Sequence, residues 1–165
     1  MGKKATKAAG NVYYDARYEV SQNEESFKSR EKASELLNVD RTRLARIELG
    51  TVMPHPEEVL LMSRAYNMPE LCNSYCANEC PIGKTSVSEV VIDDFDRLAL
   101  KVLGSLKNVD ELTKSLIVIS EDGVITHQEV RKFEEILAAL DKISNNANAL
   151  KIWALKNLEK QQGIE

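Results

Sequence analysis

Between Ser29 and Asn67 the chain carries helix start and stop signals too closely spaced for anything but short, tightly linked helices. Ser29 can cap a helix running through Leu37, with Glu31 favourably placed near its positive N-terminus. Asn38 follows, and asparagine tolerates the left-handed backbone that ends a helix. Asp40 caps a second helix, Arg41 to Leu49, stopped by Gly50. Pro54-His55-Pro56 opens a third, with Pro56 suited to the first helical position. Its apolar face draws on Val59, Leu60, Met62 and Tyr66, and Asn67 and Pro69 close it. Helices this short are stable only when packed on one another. Composition agrees: aromatic residues make up 5% of the chain, and with 7 Gly and 4 Pro it is poor in the turn formers a many-stranded sheet needs.

The link at Asn38-Val39 is the informative one. Two helices of about eight to ten residues joined by a three- or four-residue turn form a helix-turn-helix. In that arrangement the second helix lies in the major groove of DNA, with its N-terminal residues at the base edges. Those residues are Arg41, Thr42 and Arg43, with Arg46 one turn on, while Leu44 and Ile47 fall on the opposite, core-facing side. Arginine and threonine suit guanine and phosphate contacts. The local charge fits: from Lys28 to Arg46, six basic residues stand against three acidic ones, in a chain whose net charge is −4. A charge run is ordinarily a solvated face, and this one gains meaning only from a groove-reading position.

These residues resemble the XRE family of phage repressor-like transcriptional regulators. The matching features are Leu37-Asn38-Val39 at the turn, Arg41-Thr42-Arg43-Leu44 opening the second helix, Arg46-Ile47-Glu48-Leu49-Gly50 ending it, then Pro54 and the segment Val59–Met68. The chain departs from the family pattern at Asn38, where Gly is usual, at Arg30, where Gln is usual, and at Ala33 and Ser34. The resemblance implies that Arg41, Thr42, Arg43 and Arg46 face double-stranded DNA and that Arg30 sits near a phosphate at a helix N-terminus. It implies a sequence-specific, repressor-type regulator working as a dimer at an operator. The alternative is a helical adaptor or antitoxin-type protein whose main partner is another protein, since basic helix pairs also bind proteins.

Around this segment the chain divides into an expected flexible tail (1–10), a DNA-binding domain (11–83) and a helical oligomerisation or partner domain (84–165). Val12, Ala16 and Val20 give a short helix one apolar stripe, with Tyr14 and Tyr18 beside it. The basic start is followed by no apolar run, so no secretory leader is expected and the chain reads as cytoplasmic. No P-loop, GxSxG, HExxH or dinucleotide fingerprint occurs, and an enzyme is not expected.

Cys72, Cys76 and Cys80 share one face of a helix, but on a straight helix the outer two lie about 12 Å apart along the axis. Zinc or an iron–sulfur cluster at Cys72, Cys76 and Cys80 therefore requires the helix to break near Asn78, and still lacks a fourth ligand. His55 and His127 are the only histidines. Thiols packed as small hydrophobes are the simpler reading, a redox-responsive pair the third, and no cofactor is expected.

The segment 72–165 holds 11 basic and 15 acidic residues. Val91, Phe95, Leu98, Val102 and Leu106 mark one amphipathic helix, and Leu112, Leu116 and Ile119 a second. Asp122-Gly123 reads as a turn and Thr126-x-x-Glu129 as a capping box; an EF-hand reading would put Val118 in a carboxylate position and bind calcium poorly. From Gln128 the chain is helical almost to its end. Val130, Phe133, Leu137, Leu140, Ser144 or Ile143, Ala147, Leu150, and Ala154 or Trp153 alternate at three and four, interrupted weakly at Ser144-Asn145-Asn146. Such a stripe suits an intramolecular bundle or a seam between two copies. Leu150 and Trp153, at the distal end, are the expected homodimer contacts.

Overall fold

The computed structural model describes residues 7–121 and 123–162. Every regular element among them is a helix, as the punctuation implies: α1 (Val12–Val20), α2 (Arg30–Leu37), α3 (Arg41–Glu48), α4 (Pro56–Tyr66), α5 (Glu70–Asn78), α6 (Phe95–Leu106), α7 (Val109–Ser120) and α8 (Val130–Gln162). The chain separates into two compact units, Met1–Glu89 and Val90–Glu165. Of the tail expected over 1–10, residues 1–6 lie outside the described residues; residues 7–10 form turns, with Ala8 buried. Asp122 also lies outside them.

In the first unit the caps form as the sequence reads. The Ser29 hydroxyl accepts from the Lys32 amide at 3.2 Å, and an Asp40 carboxylate oxygen accepts from the Arg43 amide at 2.9 Å. Asn38 and Asn67 end α2 and α4 at φ +50° and +52°, and Gly50 follows α3 at φ +67°. These left-handed residues bend the chain sharply enough for α2, α3 and α4 to pack on one another. The resulting core joins Tyr13, Phe27, Leu37, Leu44, Ile47, Val59, Met62 and Tyr66, with Phe27 edge-on to Tyr66 at 5.3 Å between ring centroids.

Two apolar faces differ from the periodicity reading. Val12 is exposed, and α1 turns Tyr13, Tyr14, Ala16 and Arg17 inward instead. On α4, Leu60 is exposed and Ser63 takes a buried place beside Val59, Met62 and Tyr66. In both helices a small or amphipathic residue meets the neighbouring helices more closely than the exposed aliphatic one does. The Asn11 side chain caps α1 through the amides of Tyr13 and Tyr14 and also donates to the Ile47 carbonyl at 3.0 Å, tying the start of α1 to the end of α3.

In the second unit α6 and α7 pack along the 33-residue α8. Phe95 at the start of α6 lies 5.0 Å from Trp153 between ring centroids, and Asn146 donates to the Lys101 carbonyl at 3.0 Å. Rising numbers on α6 thus meet falling numbers on α8, so the two helices are antiparallel. The Thr126 amide and hydroxyl both donate to Glu129, at 2.9 and 2.6 Å, which fixes the approach to α8. Val91 lies outside α6 and is exposed.

Candidate nucleic-acid interface

Helix α3 is split lengthwise. Leu44 and Ile47 are buried in the core, while Arg41, Thr42 and Arg46 are exposed. Among the described residues, Arg41 and Arg46 have no ion-pair partner. The short turn Asn38-Val39 and the Asp40 cap set the N-terminal end of α3 outward, where the helix dipole adds positive potential to that of Arg41. An exposed cationic helix start backed by two buried aliphatic side chains gives a rigid edge of positive potential.

Arg43 is placed differently. Its guanidinium makes a two-pronged ion pair with Glu58 of α4, Nε to one carboxylate oxygen and Nη2 to the other, the latter at 2.7 Å. Glu58 also accepts from the His55 amide at 2.7 Å, so one carboxylate closes the start of α4 and clamps the side of α3. The hydrogen bond from Arg43 lowers the Glu58 pKa below the usual carboxylate range against the opposing effect of burial. His55 itself is exposed at the N-terminal edge of α4.

Arg30, the first residue of α2, is also committed. Its Nε donates to Glu48 Oε2 at 2.6 Å, while Arg17 donates to both oxygens of the same carboxylate at 2.5 and 2.9 Å and to the Phe27 carbonyl at 2.8 Å. Glu48 is completely buried. Two guanidiniums around one carboxylate leave one positive charge in excess, and the part-exposed member is Arg30, at the N-terminus of α2. Neither Arg17 nor Glu48 stood out as a site residue in the sequence. The available signal was phase: Glu48 lies four residues after Leu44, on the core side of α3, where a carboxylate needs a cationic partner.

The cysteines stand at the far end of the same unit. Helix α5 ends at Asn78, before Cys80, and all three thiols are half-buried. Cys80 Sγ accepts from the Gly83 amide at 3.4 Å, and Gly83 lies so close to the Cys76 backbone that a Cβ there would sit 2.1 Å from the Cys76 carbonyl oxygen. Burial, then the neighbouring Cys80 and Cys72, raise the Cys76 pKa. The Tyr13 hydroxyl donates to Glu79 at 2.6 Å and ties this end to α1. Among the described residues, no group of three or more His, Cys, Asp or Glu side chains is arranged to hold a metal ion. In the second unit, Leu150 and Trp153 are half-buried, with Trp153 engaged by Phe95 of its own chain.

Residues 28–71 match the helix-turn-helix family, spanning α2, α3, α4 and the start of α5. This segment is an XRE-type helix-turn-helix. No curated protein and no solved structure matches the chain. The match ends within the first unit, so the helix-turn-helix accounts for α2 through α4 and says nothing of α6 through α8. The matched family is one of DNA-binding regulators. Among the described residues, no helix is long and apolar enough to cross a membrane.

Proposed function

We propose that this chain is a sequence-specific double-stranded DNA-binding transcriptional regulator that occupies its operator as a homodimer. The observation that carries the reading is the outward face of α3: Arg41, Thr42 and Arg46 stand exposed on the helix whose other side, Leu44 and Ile47, is locked in the core. Arg41 and Thr42 read base edges at the N-terminal end of α3, and Arg46 follows one turn later. Arg30, oriented by Glu48 at the start of α2, takes a phosphate. Arg43 contributes through position, because its clamp on Glu58 fixes how α3 is presented. Phosphate contacts supply most of the affinity and the α3 face supplies selection, so repression or activation follows from where the operator lies.

Selection of bound fragments from a random duplex pool tests this. An enriched two-fold-symmetric site with fixed half-site spacing is the expected result, with affinity falling steeply as salt rises. No enrichment and no gel shift of any fragment would overturn it in favour of an adaptor or antitoxin-type protein. Metal analysis of protein prepared without an affinity tag checks the cysteine segment independently.

A further inference from the structure

The second unit leaves an apolar face uncovered, and its layout points to the occupant. Helix α8 has two distinct apolar rows. One faces α6 and α7: Ile136 is buried, Asn146 bonds α6 and Trp153 packs on Phe95. The other repeats every seven residues through Val130, Leu137, Ser144, Lys151 and Leu158, with Phe133, Leu140, Ala147 and Ala154 between them. This second row is turned about 100° from the first, as expected for a helix with two neighbours in a four-helix bundle. Its leucines stay open, while Phe133 is half-buried: Leu137 is 45% exposed, Leu140 46% and Leu158 47%.

Helix α6 carries a matching flank, in which Leu103 is 65% and Leu106 44% exposed. On each helix the open row lies about 75–100° clockwise of the line to its neighbour, viewed from its own N-terminus. Antiparallel packing brings two such rows to the same side of the pair. Together they form a face about 40 Å long on α8, widened by the flank of α6 over no more than about 18 Å of that length.

We infer that this face is the homodimer seam, with α8 of one copy lying antiparallel on α8 of the other. The inference rests on the homodimer proposed above and assigns its interface. Ser144 and Ala147, the small members at the middle of the row, let the two helices approach at the two-fold axis. Charge selects the direction. Parallel pairing in register sets Lys151 beside its own copy. Antiparallel pairing about Ser144 sets Lys151 opposite Leu137, flanked by Glu134 and Asp141 of the other chain. Among the described residues, none of these three has an ion-pair partner within its own copy. Trp153 then belongs to the intramolecular row, and the seam lies about a quarter turn away from it.

Light scattering and sedimentation of the full chain test the assignment. The unmutated protein should run at twice 18.5 kDa, and Leu137→Asp with Leu140→Asp should run at 18.5 kDa with helix content retained. Lys151→Glu, on an exposed position that does not threaten folding, should weaken the dimer by about tenfold, as should Glu134→Lys with Asp141→Lys. Combining all three reversals should restore it. A mass of 18.5 kDa at every concentration for the unmutated chain overturns both this seam and the homodimer. A dimer indifferent to the Leu137 and Leu140 changes overturns the seam alone. Failure of the combined reversal to restore dimerisation overturns the antiparallel order.

Discussion

The two units solve the problem of a helical core to different degrees. Among the described residues, the first buries fourteen apolar side chains and the second five: Leu98, Ile119, Ile136, Ala149 and Ile152. The first wraps short helices around one another, and its left-handed turns at Asn38 and Asn67 allow each helix to meet more than one neighbour. The second sets two short helices along one long one. A single seam between helix layers cannot enclose much, because the opposite side of each helix remains in water. The first unit is therefore expected to be stable as it stands, and the second to draw part of its stability from association.

The sharpest test of that contrast is the buried triad of the first unit. Glu48→Ala should cost about 3–5 kcal/mol in urea unfolding, because it strands Arg17 as a buried cation. Leu103→Ala, on the open face of the second unit, should change the stability of the monomeric chain by less than about 0.5 kcal/mol. A Glu48 effect no larger than the Leu103 effect would refute the view that the triad holds the first unit together.

Next comes concentration. If association completes the second unit, its melting should shift with protein concentration, gaining about 2.7 kcal/mol at one hundred times the dissociation constant, while the first unit melts independently of concentration. Calorimetry over a wide dilution series separates the two; a single transition that never moves would remove the distinction.

Within the first unit the arginines should sort by their partners. Arg41→Ala or Arg46→Ala should lose about 1–3 kcal/mol of binding at one base position if the arginine is paired to guanine. Arg43→Ala should instead weaken all sequences alike and lower stability slightly, since it breaks the clamp on Glu58. Base-specific loss at Arg43 would show that DNA displaces Glu58.

The clamp also has a pH signature. The Glu58 pKa is lowered by folding, so its contribution is complete above the unfolded value, about 4.3, and is lost as pH falls through the lower folded value. Glu58→Gln should flatten that part of the acid unfolding curve, and an unchanged curve would count against it. The smallest effect expected is chemical: Cys76, its pKa raised by burial and by its neighbours, should be alkylated more slowly at neutral pH than a free thiol. Peptide mapping after timed iodoacetamide treatment measures it.

Much of the first unit was legible in order along the chain. Caps and stops act over three or four residues, so Ser29, Asn38, Asp40, Gly50, Pro56 and Asn67 could be read one at a time, and α2, α3 and α4 follow from them. The split of α3 into Arg41, Thr42 and Arg46 outside and Leu44 and Ile47 inside is likewise set by a local 3.6-residue repeat. Contacts between distant positions were not legible. The partners of Glu48 lie 31 and 18 residues away, and that of Arg43 lies 15 away; only packing decides which cation meets which carboxylate.

The long helix shows the same division. Its sequence determined that α8 would be long and would carry apolar residues at spacings of three and four, because the repeat is written in consecutive residues. Which of its apolar rows its own chain would cover was decided only when α6 and α7 lay down along it. A helix surface offers several rows of similar hydrophobicity, and the choice among them turns on side-chain fit with a neighbour distant in sequence, which periodicity does not encode.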